Sequence, residues 1–146
     1  MLCAQPCRLQ RHSVPLLLKG AGTQRLPQSG IPGKLAGVGR PLTDRERAVL
    51  DALLDTRFDG VEALRIEACA AEVVGTCGCG CPSIDFHDEP GAGMHVRVNA
   101  TVDGTHDGLF LYTVGGRLGG IEYVGACDEG DPDELPDPAR LMITPA

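Results

Sequence analysis

Residues 77–82 read Cys-Gly-Cys-Gly-Cys-Pro, and this is the one segment of the chain where residue type and spacing concentrate chemistry. Cys77, Cys79 and Cys81 stand among seven cysteines, with Cys3, Cys7, Cys69 and Cys127. An odd total and the lack of a secretory signal argue against a disulfide scaffold. In a reducing compartment, clustered thiols are more often metal ligands or reactive groups than bridges. Zinc takes four ligands in a tetrahedron, commonly thiolate and imidazole. In an extended segment, residues at i, i+2 and i+4 share a face but stand about 6.6 Å apart at alternate Cα atoms. Three thiolates therefore converge only if Gly78 and Gly80 bend the backbone, a freedom glycine has. The fourth ligand would come from Cys69, His87 or Cys127, so the candidate metal set is Cys77, Cys79, Cys81, Cys69, His87 and Cys127, for zinc or another soft metal.

Other chemistries compete for the same thiols. A C-x-C pair can close a strained disulfide that a third thiol resolves. No basic residue or helix start flanks the motif, which counts against a strongly depressed thiol pKa. A cysteine nucleophile with His87, His95 or His106 as base needs a geometry that spacing does not fix; His95 falls on the outward side of its strand and His106 in a turn. The plainest reading is structural: a Gly-rich connection whose thiols pack as small hydrophobes, with Pro82 stiffening the exit. No phosphate-binding loop, dinucleotide fingerprint, zinc-protease helix or nucleophile elbow is present.

The elements that must position the motif are a helical start and a strand-rich body. Thr43-Asp44-Arg45-Glu46 is a capping box, and Val49, Leu50, Leu53 and Leu54 make a helical apolar face; the helix should run from 44 to about 56. Asp59-Gly60 marks a turn, and Val61, Leu64 and Ala68 set a second helix over about 61–69. Each is too short to be stable alone, so both need a sheet to cover. Strands are expected near 71–76, 83–88, 94–102, 108–114 and 118–125. Met94, Val96, Val98, Ala100 and Val102 alternate with polar residues, the clearest half-buried strand of the chain. Asp103-Gly104 and Gly115-Gly116 read as hairpin turns. Residues 109–112 are consecutively apolar, as in a central strand. Gly119 and Gly120 weaken the last strand and mark a bulge. The expected fold is α+β: two N-terminal helices on one face of a mainly antiparallel sheet of about five strands.

The chain has 146 residues, which suits one domain. Its charge is uneven. Residues 1–41 carry six basic residues and no acid, while residues 42–146 carry 7 basic and 20 acidic ones. Residues 1–41 also lack apolar periodicity, so they read as a flexible basic extension or an artefact of the assigned start. Residues 42–127 then form the α+β domain. Six acids and three prolines in 128–138 make 128–146 an acidic, Pro-rich tail, with Leu135 and Leu141 placed to pin it to the core. The acidic body opposes phosphate neutralisation, which argues against nucleic acid as a partner. No run of about 18 apolar residues offers a membrane span. The sheet face that the helices leave open suggests a homodimer or a protein partner.

With Thr43–Glu46, Gly60–Arg65, Cys77–Ser83, Gly116–Leu118, Ile121–Tyr123 and Pro136–Leu141 together, residues 42–141 resemble a family of small uncharacterised actinobacterial proteins. The resemblance leaves 1–41 outside, brings no activity or ligand, and implies that the cysteine turn is a recurring signature. The leading expectation is a non-catalytic cytoplasmic domain that binds itself or another protein. The alternatives are a small zinc protein using the clustered thiolates, or a thiol-based redox protein.

Overall fold

The computed structural model describes residues 39–88, 93–125 and 132–146. In chain order the elements are β1 (Arg40–Pro41), α1 (Asp44–Leu54), α2 (Val61–Ala68), β2 (Glu72–Val73), β3 (Gly75–Thr76), β4 (Ile84–Asp85), β5 (Met94–Val102), β6 (Gly108–Val114), β7 (Arg117–Val124), a 3-10 turn (Pro138–Arg140) and β8 (Leu141–Pro145). The fold is α+β, as expected. The strand count is higher: a six-stranded sheet in the order β3-β4-β7-β6-β5-β8, all neighbours antiparallel, and a separate β1-β2 pair.

Thr43 caps α1 as its sequence predicts. Glu46 N donates to the Thr43 hydroxyl at 3.2 Å, and Thr43 N donates to Glu46 Oε2 at 2.8 Å. Arg40 adds a two-pronged contact, donating to both Glu46 oxygens at 2.6 and 2.7 Å. Glu46 is thereby a buried carboxylate with its acceptors filled. The contact also anchors β1, so residues 39–41 belong to the folded body rather than to the basic extension, and the helices are preceded by a strand. Gly60, at φ +86°, turns the chain into α2. Arg47 of α1 donates to the Ala68 carbonyl near the end of α2, where last-turn carbonyls lack helical partners.

One core cluster joins Val49, Leu50, Leu53 and Leu54 of α1 and Val61, Leu64 and Ala68 of α2 with Val98, Ala100, Leu109, Leu111, Leu118, Ile121 and Tyr123 of the sheet. Gly104 closes the β5–β6 hairpin at φ +76°, and Gly115-Gly116, at φ +58° and +82°, closes β6–β7, as their sequences predict.

Two bulges revise the simple alternation. In β5 the register slips between Val96 and Val98. Val98, Ala100 and Val102 are buried, whereas Met94 and Val96 move to the opposite face and are exposed. The extra residue, Arg97, stacks its guanidinium on Phe58 at 5.2 Å and donates to the Asp59 carbonyl. The second slip pairs Tyr112 with Gly120 but Thr113 with Leu118, which is the bulge anticipated at Gly119-Gly120. The displaced Leu118 N–H is taken by Glu67 of α2 at 2.9 Å.

Three expectations are corrected. The strand expected over 71–76 is interrupted at Val74, giving β2 and β3 in different sheets, and the strand over 83–88 pairs only at Ile84–Asp85. The 128–146 segment is not a tail throughout. Leu135 is only 2% exposed, Leu141 packs against the core, and β8 pairs with β5 along five residues. Arg140 and Asp103 exchange contacts at 2.6 and 2.8 Å where this strand begins. Cys127 and the start of the acidic run, 128–131, lie outside the described residues, as do 1–38. Among the described residues, no helix is long and apolar enough to cross a membrane.

Candidate metal centre

The cysteine segment is the turn between β3 and β4, at the edge of the main sheet. Cys77 N donates to Ser83 O at 3.4 Å and closes the hairpin, while Gly80 N returns to Cys77 O at 3.3 Å and curls its tip. Gly80 makes this possible with φ +96°, a conformation side chains disfavour. The anticipated bend is therefore present, with Gly80 taking the left-handed step.

Curling brings three sulfurs together. The Sγ atoms of Cys77, Cys79 and Cys81 all lie within 4.8 Å of one another. Cys77 and Cys79 share a thiol–thiol hydrogen bond of 2.7 Å, and all three are thiols rather than disulfides. Cys81 N donates to Cys79 Sγ at 3.4 Å. Tetrahedral zinc with Zn–S bonds of about 2.3 Å sets its sulfurs about 3.8 Å apart. The 4.8 Å limit on the sulfur separations is compatible with that spacing, with the Cys77–Cys79 contact of 2.7 Å opening by about 1 Å.

The electrostatics are those of thiols packed against one another. The neighbouring Cys79 thiol pushes Cys77 up to about 11, outweighing the Cys79 backbone amide, which favours the thiolate. Cys81 presses in the same direction as Cys79. Three thiolates this close repel one another, so protons or a metal must neutralise them. A Cys77 held as a thiol at neutral pH is also a poor nucleophile.

Of the other proposed ligands, neither Cys69 nor His87 belongs to the sulfur group. Cys69 follows α2, and its Sγ donates to the Arg65 carbonyl at 3.5 Å. His87 lines a different hollow with Glu67, Phe86 and Leu118. The hairpin projects Cys77–Cys81 from the β3–β4 edge, whereas Cys69 ends a helix and His87 follows β4 past its last paired residue. Cys127 falls outside the described residues. His95 and His106 are exposed.

Sequence reasoning missed Ser83, which links the thiols to the sheet. Its buried hydroxyl accepts from Cys81 Sγ at 3.2 Å and from Tyr123 N at 2.9 Å, and it donates to Glu122. Glu122 stands on the sheet face away from the core, as do its neighbours Phe110 and Tyr112, because Leu111 and Ile121 beside them point inward. The Tyr112 hydroxyl crosses Gly120 and donates to Asp85 Oδ1 at 2.6 Å. A Cβ on Gly120 would stand 2.6 Å from that hydroxyl, and one on Gly119 would stand 2.6 Å from the ring. The two glycines therefore form the bed in which Tyr112 lies. Burial and the Asp85 contact raise the Tyr112 pKa; burial, then the Asp85 charge, raises that of Glu122, against the Ser83 hydrogen bond.

No protein-family model, curated protein or solved structure matches the chain.

Proposed function

We propose that this domain binds one soft metal ion, zinc foremost, through the thiolates of Cys77, Cys79 and Cys81. The observation that carries the reading is the convergence of three sulfurs within 4.8 Å on a turn that spends a left-handed glycine to achieve it. Thiolates select soft and borderline ions such as Zn2+ and Cu+. Three protein ligands leave a tetrahedral ion one open position, the arrangement of sites that bind a water or an exchangeable ligand. The hairpin's place at the sheet edge gives that position access to solvent or to a donor from another molecule.

Titration of the reduced, metal-free chain with Zn2+, and with Co2+ as a spectroscopic probe, tests this. The expected result is one ion per chain with thiolate-to-cobalt charge-transfer absorbance, lost when Cys77, Cys79 and Cys81 are replaced by Ser together. Substoichiometric binding, or equal binding by that triple variant, overturns it. Replacing Cys69 with Ser should leave stoichiometry unchanged.

A second reading, a domain that binds itself or another protein, is favoured by Met94 and Val96, which the β5 bulge leaves exposed on the face away from the helices. Sedimentation of the wild-type chain and of a Met94→Ser/Val96→Ser variant distinguishes a dimer through this patch from a monomer.

A further inference from the structure

On the sheet face away from the core lies a hollow of about 420 Å³, lined by Cys77, Ser83, Asp85, Met94, Phe110, Tyr112 and Glu122. Its volume falls in the range of small-molecule sites. Its floor is apolar. The Phe110 and Tyr112 rings meet edge to face, with centroids 6.3 Å apart, and Met94 stands beside them. The bulge in β5 is what carries Met94 to this face. One flank is anionic, with Asp85 on β4 and Glu122 on β7 close enough for the Asp85 charge to act on Glu122. Asp85 is fixed by the Tyr112 hydroxyl and Glu122 by the Ser83 hydroxyl. Both partners are donors already committed, so neither neutralises the charge. No Lys or Arg lines the hollow, and neither carboxylate enters an ion pair among the described residues.

We propose that this hollow binds a small organic cation, an arylalkyl ammonium, with its nitrogen between Asp85 and Glu122 and its apolar body along Met94, Phe110 and Tyr112. An ammonium supplies the charge and the donors that the two carboxylates lack, and aromatic faces attract cations as well as apolar surface. A neutral ligand of the same shape leaves the carboxylates uncompensated, and an anion is repelled. The site meets the metal centre at the Cys77 wall and through Ser83, which accepts from Cys81 Sγ, but the residues assigned to the ammonium and its apolar body, Asp85, Glu122, Met94, Phe110 and Tyr112, are not among the three thiols.

Calorimetric titration of the intact chain with phenethylamine, phenethyl alcohol and phenylacetate, together with NMR shifts of assigned residues, tests the inference. Phenethylamine should bind at least about tenfold more tightly than the alcohol, phenylacetate should not bind, and the shifts should centre on Met94, Phe110 and Tyr112. Glu122→Gln should lower the amine's affinity about tenfold while leaving the alcohol's unchanged. Equal binding of the three probes, or shifts centred elsewhere, overturns the proposal. The ranking on the wild-type chain needs no variant, so it stands even if Glu122→Gln fails to fold. Repeating it with chelator and with Zn2+ separates this result from the metal reading, because the amine preference should persist in both.

Discussion

Zinc affinity should rise steeply with pH, and Cys77 sets a floor on the slope. Its pKa of about 11 keeps it protonated through the neutral range. A metal that takes this sulfur as thiolate must release its proton. While pH stays well below that pKa, each unit makes the release about tenfold easier, so going from about pH 6.5 to about 8.5 should tighten apparent binding about hundredfold through Cys77 alone. Any further thiol that ionises on binding steepens the dependence. The sign follows from the Cys79 and Cys81 thiols, which favour the protonated form of Cys77 in the metal-free protein. Competition against a chromophoric chelator across this range gives the slope, and calorimetry in two buffers of different ionisation enthalpy counts the protons directly. Cys77→Ser should remove one proton from the count. A flat affinity, or a count unchanged in Cys77→Ser, would refute a role for this sulfur as ligand.

Thr43→Ala removes the hydroxyl that accepts from Glu46 N and should cost about 1 kcal/mol in urea unfolding. The Arg40 contact, followed by the Thr43 amide, holds Glu46 below its ordinary value of 4.5. Its contribution to stability is therefore present above that value and lost as pH falls through the lowered one, so Glu46→Gln should flatten the acid limb of the urea midpoint below pH 4.5. Gly120→Ala places a methyl group 2.5 Å from the Ile84 carbonyl oxygen and 2.6 Å from the Tyr112 hydroxyl; overpacking of about 1–3 kcal/mol should appear as a lowered Tm, and a Tm equal to wild type contradicts the bed described for Tyr112. Leu53→Ala, in the fully buried centre of α1, should lose about 2–5 kcal/mol by the same measurement.

Much of the architecture is legible because its signals are local. A capping box at Thr43–Glu46 and paired glycines at 115–116 act through a few adjacent residues, and both helices and the hairpins follow from them. The cysteine turn is legible for the same reason: Gly80 beside the thiols both permits and marks the bend. What stays hidden depends on partners distant in sequence. β1, β2, β3 and β4 are two residues each, too short to show a period, and are defined by what they pair with. The β5 bulge leaves hydrophobic alternation intact in sequence while Met94 and Val96 change face, because the slip lies in the ladder to β6 rather than in residue types. Cys69 and His87 are plausible ligands by distance along the chain, but a helix end and the chain beyond β4 separate them from the hairpin tip. Ser83 has no spacing signature at all; only the closed structure places its hydroxyl between Cys81, Tyr123 and Glu122.

The strand at 141–145 has a consequence for the order of assembly. It completes the sheet beside β5, and Leu135 just before it plugs the core. During synthesis, the β5–β6–β7 hairpins can therefore emerge and pair with one border still bare. An uncapped border is a template for pairing with other chains. Until β8 pairs, the nine-residue β5 is such a template; once it pairs, the outer border is the shorter β8, whose last residue is Pro145 and cannot donate to a ladder.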